Sequence, residues 1–189
     1  DAVPDGSRPK RQPPVEPGPL VGPSVVGVHF AGPGAYHPLV WVAERTDLPC
    51  AYIVGELKAV WDVKRLRPDC LVGYRSGRIS EGIVLPESFD DCYKAGQQRF
   101  DDVFPEYRGL PADIVLSFFN EWLHPSDVHE WAKGCQVYKG LMDRANEHKV
   151  KVTVLDLNPG HPRVENRDIV QAMQPVLSQA EREGHPLIY

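Results

Sequence analysis

"DIVLSFFNEWLHPSDVHEWAKGCQVYKGLMDRANEHKVKVTVLDL", residues 113–157, reads as one complete strand–helix–strand unit, and it sets the fold class. The run "DIVLSFF" (113–119) is short, apolar and rich in β-branched and aromatic residues, as a buried strand requires. From 127 to 147 the period changes. Val128, Trp131, Ala132, Cys135, Tyr138, Leu141, Met142 and Ala145 fall three or four apart, one stripe of a long amphipathic helix. Asp127 with Glu130 makes a capping box at its start, with Pro125 just outside. "KVTVLDL" (151–157) then returns to the strand pattern.

The same alternation extends both ways. "VVGVHF" (25–30), "AYIVGE" (51–56), "CLVGYR" (70–75) and "HPLIY" (185–189) are further strand-like runs. Helical spacing fits 37–46, 58–67 and 166–183, the last carrying Ile169, Val170, Met173, Leu177 and Ala180. A further helix follows Ser88, whose side chain can cap Asp91, and carries Phe89, Cys92, Tyr93, Gly96 and Phe100. About six strands and five helices in strict alternation, with the strands apolar on both faces, predict an α/β domain over residues 25–189. Its sheet should be parallel and covered by helices.

Two architectures fit that pattern: a (β/α)8 TIM-barrel-like fold and an open doubly wound parallel sheet. The first strand leads into "AGPGAYHP" (31–38), where Pro33 and the spacing break the G-x-G-x-x-G fingerprint of dinucleotide binding. This favours the barrel. Six strands are used by Tyr189, and two more βα units would take roughly 60 further residues. The expectation is therefore a barrel incomplete at its C-terminus, cut inside an apolar strand-like run and carrying an open sheet edge suited to self-association.

Residues 1–24 hold seven prolines and almost no large apolar side chains, so an extended tail or linker is expected, with Arg8, Lys10 and Arg11 solvated. The 189 residues, 42% hydrophobic and 25% charged, can bury one sizeable core. A net charge of −5 lacks the basic face that phosphates need, which argues against a nucleic-acid partner. No apolar run approaches the roughly 20 residues of a membrane span. The chain opens at Asp1 with no recognisable signal peptide, as expected of a protein processed or cut from something longer. Cys50, Cys70, Cys92 and Cys135 lack C-x-x-C spacing and sit in or beside apolar segments, so buried free thiols are expected over a zinc site, with one disulfide left open.

In both architectures the chemistry gathers at the carboxyl ends of the strands. Those ends carry His29, then Glu56, then Arg75, then Asn120, Glu121 and Trp122, and finally Asp156, Asn158 and His161. Polar residues closing successive apolar strands are hard to explain as core packing.

The fourth of these endings resembles the glycoside hydrolases of clan A, (β/α)8 enzymes with Asn-Glu after strand four. "VGVHF", "LVGYR" and "SFFNEW" are similar to divergent members of that superfamily, over residues 25–189. The resemblance implies Glu121 as general acid/base and Asn120 as the contact to the sugar's 2-hydroxyl. A second Asn-Glu, Asn146 and Glu147, falls late in a helix and reads as solvated surface. The chemistry fits: a departing glycosidic oxygen needs a proton, and a carboxyl group partly desolvated beside Phe119 or Trp122 holds one to higher pH. Trp122, Arg75, His29, Glu56, Asp156 and His161 complete the expected substrate cleft, with Trp122 either stacking on a sugar or packing under the next loop.

The second carboxylate of a retaining pair, about 5 Å from the first, belongs after strand seven and has no counterpart in these six strands; Glu56 or Asp156 could replace it or could pair with Arg75. The partner implied is an oligo- or polysaccharide, the location extracellular or secreted, with no cofactor and no metal. His29, His37 and His161 with Asp156 form only a weak metal candidate. H-E-x-x-H, G-x-S-x-G and Walker patterns are lacking. The other class of function is a non-catalytic, barrel-derived binding or assembly module.

Overall fold

A computed structural model describes residues 28–31, 36–79, 82–120, 122, 127–155 and 167–186. The Pro-rich stretch 1–24 lies outside the described residues. In chain order the elements are β1 (Val28–Ala31), α1 (Tyr36–Arg45), β2 (Cys50–Val54), α2 (Leu57–Leu66), β3 (Leu71–Arg75) and α3 (Phe89–Val103). A 3-10 turn (Phe104–Tyr107), β4 (Val115–Leu116), α4 (Val128–Glu147), β5 (Lys151–Val152) and α5 (Arg167–Glu183) follow. The alternation read from the sequence is present, with boundaries within a few residues.

The five strands form one parallel sheet in the order β1-β2-β3-β4-β5. Each crossover steps to the next strand in the same direction. A doubly wound sheet reverses at a switch point, and none occurs among the described strands. Because parallel crossovers are right-handed, such stepping carries every helix to the same face of the sheet.

The pleat divides the strand residues accordingly. Register aligns Ala51 with Val72, Ile53 with Tyr74, Tyr74 with Leu116, and Leu116 with Val152. These residues, with Ile114, Phe118 and Val154, join Leu39, Ala43, Val60, Val63, Phe100, Trp131, Tyr138 and Leu141 in the principal core. The opposite face carries His29, Tyr52, Gly73, Val115 and Lys151 in one row and Val54 with Arg75 in the next. Val54 and Val115 are buried yet stand outside that core. One face of the sheet is thus uniformly apolar and the other mixed, a division that single strands do not reveal.

The helices begin where the capping residues stand. Asp127 Oδ1 accepts the Glu130 N–H at 3.0 Å, and Ser88 Oγ accepts that of Asp91 at 3.1 Å. At the end of α4, Lys149 adopts φ +57° while Val150 N–H donates to Ala145 O at 3.0 Å, a left-handed turn normally given to glycine. Lys149→Gly is expected to raise the unfolding free energy by about 0.5 to 1 kcal/mol in urea titrations, since it relieves the Cβ–carbonyl contact.

All four cysteines are free thiols; Cys70, Cys92 and Cys135 are buried, Cys50 half-buried. Burial pushes Cys135 up to about 12 and Cys70 up to about 11, so neither is a thiolate at neutral pH.

Beyond α5 the chain returns to the sheet. Pro186 O accepts the Val154 N–H and His185 Nδ1 accepts that of Val152, both at 3.2 Å. Residues 185–186 therefore occupy the position beside β5 where the sixth strand is expected, and 187–189 lie outside the described residues. The His185 side chain is completely buried, with Nε2 3.6 Å from Glu183 Oε2. Burial, aided by Lys151 and opposed by Glu183 and Asp143, lowers its pKa from 6.5 to about 4. The ring must be neutral to accept the Val152 N–H.

The unfolded chain binds this proton near pH 6.5, whereas the folded chain does so only near pH 4. His185 thus favours folding above pH 6.5, and that contribution fades as the pH falls towards 4, by about 3 kcal/mol in total. Thermal unfolding between pH 7.5 and 4.5 should show this loss, and His185→Gln should flatten it; parallel slopes would refute the assignment.

Candidate functional site

The carboxyl ends of β2 and β3 are held together by their backbones. Gly55, at φ +78°, donates its N–H to Arg75 O at 2.9 Å. A Cβ at Gly77 would stand only 3.2 Å from Gly55 Cα, so the turns after the two strands nest on glycine. Glu56 follows at the start of α2, half-buried, without capping the helix through its side chain. Its charge acts on the buried Tyr74 phenol, whose pKa is raised by burial first and then by Glu56 and Glu106. Among the described residues, neither Glu56 nor Arg75 makes an ion pair.

The end of β4 continues past its ladder. Ser117 N–H donates to Tyr74 O at 2.9 Å and Thr153 N–H to Leu116 O at 2.8 Å. Carried forward one residue, the register places Ser117 beside Arg75 and Thr153 beside Ser117. Ser117 and Thr153 are fully buried, so a polar row crosses the sheet's second face at its carboxyl end. Ser117 Oγ donates to Phe119 O at 3.1 Å, and Tyr107 Oη donates to Ser117 O.

Arg99, reaching in from α3, donates from Nε to Phe118 O at 3.0 Å and holds its guanidinium 5.3 Å from the Phe119 ring centre. Desolvation lowers its pKa. This strand end is clamped from both sides. Asn120 stands half-buried immediately beyond, with no side-chain hydrogen bond among the described residues.

Of the sequence-expected cleft, Arg75 ends β3 at the carboxyl rim, and Asn120 stands four residues beyond the end of β4. Glu56 follows the end of β2 by two residues, half-buried at the start of α2. His29 lies two residues before the end of β1, exposed and edge-on to Tyr52 at 5.1 Å, one row below Arg75. Trp122 takes the packing role of its two expected ones. Its indole stacks on Phe119 with centroids 4.4 Å apart, Nε1–H donates to Ile83 O at 2.8 Å, and a Cβ at Gly82 would overlap the ring. Its N–H and one ring face are occupied by protein. Glu121, Asp156, Asn158 and His161 lie outside the described residues.

Sequence reasoning missed Ser117, Thr153 and Arg99. The first two carried a signal, single hydroxyls inside the apolar runs "IVLSFF" and "KVTVL". Aligning the strands would have put them in Arg75's row. Arg99 carried none, because its contact is made across 19 residues of chain.

Leu155, three residues beyond the end of β5, is buried at φ +55°, a conformation costly for a side chain bearing a Cβ, and it immediately precedes Asp156 in the chain. A hollow of about 290 Å³ is lined, among the described residues, by Arg167, Val170, Gln171 and Gln174 of α5. Among the described residues no group of three or more His, Cys, Asp or Glu side chains converges as a metal site, and no helix is long and apolar enough to cross a membrane. Compared with protein-family models and with curated proteins, the chain matches none.

Proposed function

We propose that the chain is a carbohydrate-active hydrolase of (β/α)8-type architecture, with Glu121 as general acid for the departing glycosidic oxygen. The observation that supports this reading is the sequential parallel order of five strands, in which the end of β4 at Leu116 stands beside Tyr74, one residue before Arg75 at the carboxyl end of β3. On the mixed second face, Arg75, Ser117 and Thr153 share the row at the carboxyl ends of the strands, the end at which (β/α)8 enzymes keep their chemistry. Asn120 offers an amide donor and acceptor to a sugar hydroxyl. A carboxyl group desolvated beside apolar surface holds its proton to higher pH, the property this role asks of Glu121.

Asp156 and Glu56 are the carboxylates that this reading offers as partner to Glu121. An oligo- or polysaccharide substrate and an extracellular or secreted setting follow from this reading. Chromogenic glycosides and polysaccharide digests, assayed with wild type and Glu121→Gln, test it; equal activity in the two proteins would sink it.

A specific observation favours a second reading, an assembly module. β1 forms the outer edge of the described sheet, with His29 and Ala31 exposed, so a second copy could pair there. Sedimentation equilibrium decides this: a concentration-dependent dimer without hydrolase activity would replace the enzyme reading.

A further inference from the structure

Four arginines among the described residues are partly withdrawn from water: Arg67, Arg75, Arg99 and Arg144. Arg67 donates to Ala43 O at 2.8 Å and faces Asp47 at 3.3 Å. Arg99 donates to Phe118 O, and Arg144 to Asp101 and Glu147. Arg75 alone of the four has no partner among the described residues, and its Nε is buried. Withdrawing a guanidinium N–H from water without an acceptor costs more than an ordinary hydrogen bond returns. Such a group persists where something else supplies the acceptor.

The surroundings define that acceptor. In Arg75's row stand Val54, which is apolar, and Ser117 and Thr153, which are neutral. Ser117 Oγ already donates to Phe119 O. No described neighbour in the row supplies negative charge, and Glu56 does not pair with Arg75. The side of a guanidinium that includes Nε presents two parallel N–H groups, spaced to match the two oxygens of one carboxylate.

We infer that Arg75 receives a carboxylate of the substrate, so that the saccharide bound at this rim is an acidic one built from uronic acid residues. The inference rests on the carbohydrate reading above and specifies its substrate class. An internal carboxylate from the residues outside the description is the competing occupant, and the experiment separates the two.

Affinity electrophoresis of wild type and Arg75→Gln is run through gels containing pectate, alginate or glucuronoxylan, and through the same polymers after chemical reduction of their carboxyl groups. Circular dichroism confirms folding of the variant. Wild type should bind at least one intact polymer about tenfold or more tightly than its reduced form, the order expected of one charge-assisted hydrogen bond. Arg75→Gln should lose that preference while keeping its weaker binding to the reduced polymer.

Equal wild-type binding to intact and reduced forms overturns the inference and leaves the carbohydrate reading standing. No binding to any polymer, with no cleavage of neutral glycosides, overturns both. A preference unchanged in Arg75→Gln, with lowered stability, assigns Arg75 to an internal ion pair and overturns the inference. If the variant does not fold, the wild-type comparison of intact with reduced polymers decides.

Discussion

Glu121→Gln is expected to lower glycoside hydrolysis by roughly 10²- to 10⁴-fold, the usual contribution of a positioned general acid, while leaving the melting temperature unchanged. Glutamine keeps the size of the side chain and its hydrogen-bonding oxygen but has no proton to give the leaving alkoxide. Glu147→Gln is the internal control, since the same Asn-Glu dipeptide occurs there on the exposed last turn of α4, where Glu147 pairs with Arg144. That variant should retain full activity. Substrates with good leaving groups, which need little protonation, should suffer less from Glu121→Gln than unactivated ones. A uniform loss across leaving groups would point to a binding role for Glu121.

The second large effect concerns stability. α3 and α4 approach each other through Gly96 and Gly140. A Cβ on Gly96 would overlap the Val137 carbonyl, and one on Gly140 the Tyr93 carbonyl. Both obstacles are backbone, so rotating a side chain cannot relieve them; the helices must move apart. That separation would disturb the Tyr93–Asp143 hydrogen bond (2.6 Å) and the Arg144–Asp101 ion pair (2.8 Å), which span the same two helices. It would also loosen the buried Phe100, Trp131 and Tyr138.

At an exposed helical site Gly→Ala is stabilising by about 1 kcal/mol through helix propensity. Here the sign should reverse, with a loss of about 3 kcal/mol for either substitution, at the upper end for overpacking. Chemical denaturation of Gly96→Ala and Gly140→Ala reads it directly. Unchanged or raised midpoints would show that the helices do not pack this closely. Because both changes force apart the same pair of helices, the double variant should cost less than the sum of the two singles.

Much of the fold was legible in the residues. The positions of α1 to α5, the caps at Ser88 and Asp127, and the strands follow from local signals: the spacing of apolar side chains and the donors left open at a helix start. The candidate rim was legible only in part. Arg75 ends β3 where a strand-end reading puts it, because the end of an apolar run is a local event, whereas the β4 ladder closes at Leu116, four residues before Asn120. Trp122 was undecided for the opposite reason, since an indole beside a polar cluster serves stacking or packing equally well until its neighbours are known. Ile83 and Phe119, contributed by different segments, engage its N–H and one ring face.

By itself, then, the sequence determined an alternating α/β chain with apolar strands and polar strand ends, because hydrophobic periodicity and capping act within a few residues of one another. Tertiary structure decided that the strands run in unbroken order and that the helix face is uniformly apolar. It also decided that Arg75, Ser117 and Thr153 share a row on the other face. These are properties of register, set by hydrogen bonds between strands 20 to 40 residues apart, and a one-residue slip would turn each side chain to the opposite face.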